Sequence, residues 1–169
     1  MSNKTHIFID GPDGCGKSTI CEMLSKKTGY PVIKMERVKE MFGTDHIEPC
    51  SYTFNSTISQ FSDCNFIVDR GYTSSVVYSS VYGRKANLSY LHEIEKRLNP
   101  VIIILIATNE ELYKRRPTDE VIQPGYRELV RLEYIELAKR KNYTIIDTTG
   151  KTSEEVLKLV ETTVYGKEI

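Results

Sequence analysis

An apolar run, Ile7-Phe8-Ile9, leads almost directly into Gly11-Pro12-Asp13-Gly14-Cys15-Gly16-Lys17-Ser18, and a stretch with helical spacing begins near Lys17. Strand, G-x-x-x-x-G-K-S loop and helix in that order leave few folds open. The glycines let the backbone curl so that successive N–H groups point inward at a polyphosphate. The helix that follows adds the positive end of its dipole to the same spot. Lys17 has the reach for β- and γ-phosphate oxygens, and the Ser18 hydroxyl suits a magnesium ion. Residues 11–18 therefore read as a nucleoside triphosphate site.

The rest of the chain repeats the strand-then-helix pattern. Strands are expected over Thr5 to Asp10, Tyr30 to Lys34, Asn65 to Asp69, Val101 to Ile106 and Tyr143 to Asp147. Helices are expected over Lys17 to Lys27, Thr73 to Val81, Asn87 to Leu98, Glu110 to Arg116, Tyr126 to Lys141 and Ser153 to Val164. Weaker helical spacing covers Val38 to Phe42 and Glu48 to Phe61, and Thr118 to Gly125 reads as a loop. Such alternation predicts an α/β fold with a mainly parallel sheet and helices on both faces. The 169 residues read as one domain, with a short lid around 110–126. Ligands in such sheets sit beyond the carboxyl ends of the strands. The loops after Asp10, Asp69 and Ala107 should then share one rim.

Charge and cysteine content narrow the partners. Lys plus Arg and Asp plus Glu are 23 each, so the chain has no net charge. A nonspecific nucleic-acid binder usually carries a basic excess, so no nucleic acid is expected as partner. The four cysteines, at 15, 21, 50 and 64, form no C-x-x-C pair and no zinc spacing. The polar start, Met1 to His6, does not read as a signal peptide, and the longest apolar stretch, Val101 to Ala107, is too short to cross a bilayer. A cytoplasmic protein that does not enter membranes is expected; a homodimer is compatible with the sequence.

Several side chains on the expected rim carry suitable chemistry. Asp69 closes an apolar strand, where a carboxylate serves a magnesium shell or takes a proton; a strand-end cap or an ion pair with Arg70 is the plainer alternative. Arg70 offers a planar fork for phosphate oxygens, against a plain surface salt bridge. Arg115 and Arg116 follow the fourth strand, where an arginine swinging in would stabilise the spreading charge of phosphoryl transfer. Lys114 beside them reads as solvated, and Arg127 and Arg131 are weaker candidates. Asp13, repelled by triphosphate oxygens, should face a second substrate. Glu36 is a candidate base or an exposed helix-start acid. Gln60, with Tyr52 and Phe54, could read a nucleobase or simply pack. No N-K-x-D element is present, which disfavours a guanine-nucleotide switch.

With these residues on the page, the chain resembles the thymidylate kinase and deoxynucleoside kinase group of P-loop kinases. The resemblance is carried by Phe8-Ile9-Asp10 running into Gly11 to Thr19, by Ile67-Val68-Asp69-Arg70, by the Arg115-Arg116 region and by Tyr143 to Asp147. The run Asp69 to Tyr78 is similar to small bacteriophage members. The resemblance implies a three-layer sandwich whose five-stranded sheet has the order 2-3-1-4-5, with ATP as donor and Mg2+ as metal. It implies that the donor-binding run extends to Thr19, that Ser18 and Asp69 serve the metal, that Asp13 and Arg70 hold the acceptor, and that an acid at Glu36 serves as base where the acceptor is a nucleoside. Gly14 stands where some members carry a loop arginine, which agrees with a lid arginine at 115 or 116. The chain departs from thymidylate kinases at Met35-Glu36-Arg37-Val38, where they carry Arg-Glu-Pro-Gly-Gly.

The sequence therefore predicts transfer of the γ-phosphoryl of ATP to a small-molecule acceptor, a (deoxy)nucleoside monophosphate. Lys17, Asp69, Arg70, Arg115 and Arg116 are the candidate catalytic residues, and Asp13, Glu36, Gln60 and Arg70 the candidate acceptor contacts. Alternatives are a deoxynucleoside kinase, a polynucleotide 5′-hydroxyl kinase and, from another class, a nucleotide-binding regulator without turnover.

Overall fold

Alternation along the strands sorts the apolar side chains onto two faces. Phe8, Phe66, Val68, Ile102, Ile104 and Ile106 point to one core, and Ile7, Ile9, Ile67, Ile103, Leu105 and Ile146 to the other. This period of two is what a pleated strand imposes. It leaves no polar face on the central strands, so both faces must be covered by helices. The computed structural model describes residues 4–34, 56–83, 89–117 and 124–166.

The elements follow in the order β1 (His6–Asp10), α1 (Lys17–Thr28), β2 (Val32–Lys34), β3 (Phe66–Asp69), α2 (Tyr72–Val81), α3 (Tyr90–Leu98), β4 (Val101–Ile106), α4 (Asn109–Arg115), α5 (Pro124–Lys141), β5 (Thr144–Asp147) and α6 (Ser153–Tyr165). All strand pairs are parallel, and the sheet order is β2-β3-β1-β4-β5, as the resemblance implied. Helices α2, α3 and α5 cover one face through Val77, Leu91, Leu98, Tyr134 and Leu137. Helices α1 and α6 cover the other through Ile20, Leu24, Val156 and Val160. Full withdrawal of one such side chain from water contributes about 1.5–3 kcal/mol. The doubly covered strands β1, β3 and β4 therefore hold the rim rigidly. No described helix is long and apolar enough to cross a membrane.

Some boundaries depart from the sequence reading. The second strand begins at Val32, not Tyr30, because Gly29 ends α1 at φ 74° and the Thr28 hydroxyl accepts the Tyr30 amide at 3.1 Å. That local turn consumes the residues before Val32. Pro124 and Gly125 belong to α5 and not to the preceding loop; a proline in the first turn sacrifices no helical hydrogen bond. In the segment read as a helix to Phe61, residues 56–59 are helical and residues 60–63 form turns. The rest of that segment, with Tyr52 and Phe54, lies outside the described residues, as do Glu36 and the stretch Val38 to Phe42.

Parallel register brings the carboxyl ends of the strands to one edge. Ile9 lies beside Asp69 and Asp10 beside Ile104. Beyond the strands, the Arg70 amide donates to Ile9 O at 3.1 Å and the Thr148 amide to Ile106 O at 2.8 Å. The chain leaves β1 through Gly11 at φ 137°, hard against β4; a Cβ built there would lie 2.0 Å from Leu105 O.

Candidate active site

The loop between β1 and α1 is open at its centre. Gly14 and Gly16 have φ of 88° and 85°, a region that only glycine enters at low cost. Gly16 is also the N-cap of α1 and supplies no side-chain cap. The first-turn amides of α1 therefore face the cleft, where an anion would satisfy them. Lys17 is buried, 5% exposed, and its Nζ donates to Pro12 O at 2.6 Å. Burial holds its ammonium below the ordinary lysine value, while the neighbouring Cys15, Asp10 and Asp69 pull the other way. Burial pushes the Cys15 thiol up to about 11, so it stays protonated and acts as packing.

Around this loop lies a cleft of about 560 Å³ lined by residues 13–20, Arg70, Glu111, Arg115, Arg116, Thr148, Lys151, Thr152, Ser153 and Val156. Of the donor-binding residues expected from the sequence, Asp13 to Thr19 line it; Gly11 and Pro12 are not among its lining residues. Arg70, in the left-handed region at φ 67°, places its guanidinium on Asp13 Oδ1. Lys17 Nζ stands 3.9 Å from the same oxygen. Asp13 therefore faces Arg70, and the alternative partner for Arg70, its neighbour Asp69, is not the one it takes for this ion pair. Asp69 is buried at the rim, close enough to influence Lys17.

Arg115 and Arg116 differ. Arg115 donates through Nε to Glu111 at 3.0 Å, through NH1 to Thr148 Oγ1 at 3.0 Å and Gly14 O at 3.4 Å, and through NH2 to Thr148 O at 2.8 Å. It ties the phosphate loop to the loop after β5. Arg116 also lines the cleft and is exposed. Arg127 is buried, stacks its guanidinium over Tyr113 at 4.6 Å from the ring centroid, and reaches Arg116 O at 3.5 Å. Arg131 donates to Ala107 O at 3.2 Å, at the end of β4. Lys114 pairs with Glu110 in solvent. Gln60 is exposed and reaches back to Ser56 O at 3.5 Å; it is not among the residues of the cleft.

The donor set suits magnesium. Mg2+ keeps several waters and binds through one or two protein oxygens plus phosphate oxygens. Ser18 offers such an oxygen in the cleft; Asp69, buried at the end of β3, is not among the residues that line it. Among the described residues no three or more His, Cys, Asp or Glu side chains are grouped so as to hold a metal ion, at the cleft or elsewhere.

Sequence reasoning missed the segment after β5, whose loop supplies Thr148, Lys151 and Thr152 and whose helix α6 opens with Ser153. The rule that ligands lie beyond the strand ends applies to β5 as well and would have found it. It also missed Asp10, read only as a strand end, which is fully buried and accepts hydrogen bonds from Gly71, Thr73, Ser74 and Tyr134. An acid closing an apolar run directly before the glycine loop was the available signal.

A phosphate loop on this five-stranded parallel sheet, with a buried lysine and arginines on the facing rim, defines a P-loop kinase. No family model matches the chain. It is 26% identical to a probable thymidylate kinase of Methanocaldococcus jannaschii, over 92% of this chain and 93% of that one. The YorR protein of Bacillus subtilis, solved in complex with phosphorylated GDP, superposes with a TM-score of 0.72 at 25% identity, covering 94% of this chain and 96% of that one. Deoxyadenosine kinase from M. mycoides, solved with dCMP and dCDP bound, shares the fold with a TM-score of 0.63 at 20% identity, over 96% of this chain and 100% of that one. These similarities support a P-loop kinase that acts as a nucleotide phosphotransferase.

Proposed function

We propose that the protein moves the γ-phosphoryl of ATP to a deoxynucleoside monophosphate. The observation that carries this reading is Arg70: its guanidinium, 18% exposed, stands at the phosphate loop on Asp13, beside the buried Lys17. A triphosphate donor is already served by the loop amides, Lys17 and the cleft arginines. A further fork at the acceptor side has a purpose when the acceptor itself carries a phosphate. The likeness to a probable thymidylate kinase over nearly the whole chain supports the same class of acceptor.

In this reading, ATP phosphates displace Pro12 O from Lys17 and fill the ring of loop amides. Ser18 and Asp69 would hold Mg2+, which neutralises charge building on the phosphate oxygens. Arg70 leaves Asp13, wholly or in part, for the acceptor phosphate. The nucleophile is a phosphate oxygen that is already anionic, so no side chain has to remove a proton from it. Catalysis is then positioning plus charge stabilisation.

The test is an ADP-release assay with ATP, Mg2+ and a panel of deoxynucleosides and their 5′-monophosphates. Turnover is expected with at least one monophosphate and not with its nucleoside. Turnover confined to nucleosides would overturn the reading, and ATP binding without any turnover would replace it with a regulator.

Arg115 and Arg116 should separate in the same assay. Arg115 has three fixed partners and acts on the shape of the donor pocket, so Arg115→Ala should raise the KM for ATP about tenfold with a smaller change in kcat. Arg116→Ala should lower kcat by about 10²–10³-fold, the size expected for losing one donor to the transferring group. The opposite pattern would exchange their roles.

A further inference from the structure

The carboxylate of Asp10 has no exposure to solvent. It is not part of the cleft wall, yet four donors converge on it, from the turn before α2, from α2 itself and from α5. Oδ2 accepts the Gly71 amide at 3.0 Å and the Thr73 hydroxyl. Oδ1 accepts the Ser74 hydroxyl and, at 3.3 Å, the Tyr134 hydroxyl. Ser74 Oγ and Tyr134 OH are themselves 2.9 Å apart. An ionised carboxylate has about four acceptor positions and no donor, so the set is matched in number and in kind. Burial raises the pKa of Asp10, and the Ser74 and Thr73 hydroxyls oppose the rise.

The segment held this way is the turn that carries Arg70. Arg70 sits at φ 67°, which residues with a Cβ seldom adopt. The turn is clasped on both sides: the Arg70 amide on Ile9 O, and the next amide, of Gly71, on Asp10. The clasp is tight, because a Cβ at Gly71 would lie 2.5 Å from Phe8 Cδ2. The direction of the Arg70 side chain, toward Asp13, follows from that backbone. Tyr134 extends the same network to α5.

We infer that Asp10 is a positioning residue for the acceptor: by holding the Arg70–Gly71 turn and the start of α2, it presents Arg70 to the acceptor phosphate. This rests on the acceptor reading above and goes beyond it. Asp10 precedes the phosphate loop in sequence, which would suggest service to the donor. Its hydrogen bonds run the other way, to the segment after β3. The consequence is a split between substrates.

Asp10→Asn keeps the side-chain size but turns an NH2 group toward hydroxyl and amide donors. With ATP saturating, kcat/KM for the monophosphate that wild type uses should fall about 10²-fold, the cost of a misplacement near 1 Å. Affinity for a fluorescent ATP analogue should stay within about threefold of wild type. Thr73→Val keeps the shape of one donor, deletes its hydroxyl, and should lower acceptor kcat/KM about tenfold with the same sparing of ATP; it decides the matter where Asp10→Asn gives no soluble protein. An unchanged acceptor kcat/KM in the folded variant overturns the inference. A parallel fall in ATP affinity also overturns it, because that is what a merely structural residue does. Failure of the acceptor reading would show in wild type itself, as absence of monophosphate turnover; the inference on Asp10 is read only as a variant-to-wild-type ratio with whichever acceptor wild type uses.

Discussion

Lys17→Ala should lower phosphoryl transfer by about 10³-fold or more while the protein folds as before. The lost group is a single buried ammonium at the donor phosphates, where a preorganised contact is worth several kcal/mol. Stability should not follow activity. Lys17 is buried, its one close hydrogen bond is to Pro12 O, and burial lowers its proton affinity. A base whose folded-state pKa is lowered costs stability: the penalty is complete on the acid side of that lowered value and vanishes as pH rises past the ordinary lysine range. Alanine removes the penalty along with the function. The thermal midpoint of the ligand-free variant should therefore lie within about 3 °C of wild type or above it. The rise in midpoint that ATP and Mg2+ give wild type should be lost. Full turnover in this variant would dismiss the loop as the donor site. A large drop in midpoint would mean that the ammonium is structural.

Gly11→Ala should abolish the folded protein. Two costs coincide at this position. A φ of 137° is strained for any residue with a Cβ, and that Cβ would lie 2.0 Å from Leu105 O and 3.0 Å from Leu105 C. The obstacle is backbone of β4, which pairs with β1 on one side and β5 on the other and cannot withdraw. A loss above about 4 kcal/mol is expected, a large part of the stability of an ordinary domain. Soluble yield and the urea midpoint measure it. Gly16→Ala is the comparison: φ is 85° but nothing lies within 4 Å of the added carbon, so only strain of about 1–2 kcal/mol applies and the chain should still fold. Equal behaviour of the two variants would show that the close approach to β4 is not what requires glycine at position 11.

The legible parts of this molecule are those written at short range. The run from Ile7 to Ser18 specifies strand, loop and helix start because each part depends on neighbours a few residues away. The all-apolar strands around Ile103 and Ile67 announce burial on both faces, and burial on both faces announces parallel pairing under helices. Errors fell where a local turn or cap competes with periodicity, as at Tyr30 beside Thr28, or at Pro124, whose ring suits the first turn of a helix as well as a loop.

What sequence determined on its own was the opening strand, glycine loop and helix and the layering of the chain, since glycine freedom and the period of two are properties of short segments. Tertiary structure alone decided who meets whom. Arg70 finds Asp13 across 57 positions, Arg115 finds Thr148 across 33, and Asp10 collects Thr73 across 63 and Tyr134 across 124. Those pairings depend on sheet order and on how far each loop overhangs the rim. The free energy that fixes them belongs to the packed helices and strands, not to the polar residues that the packing brings together.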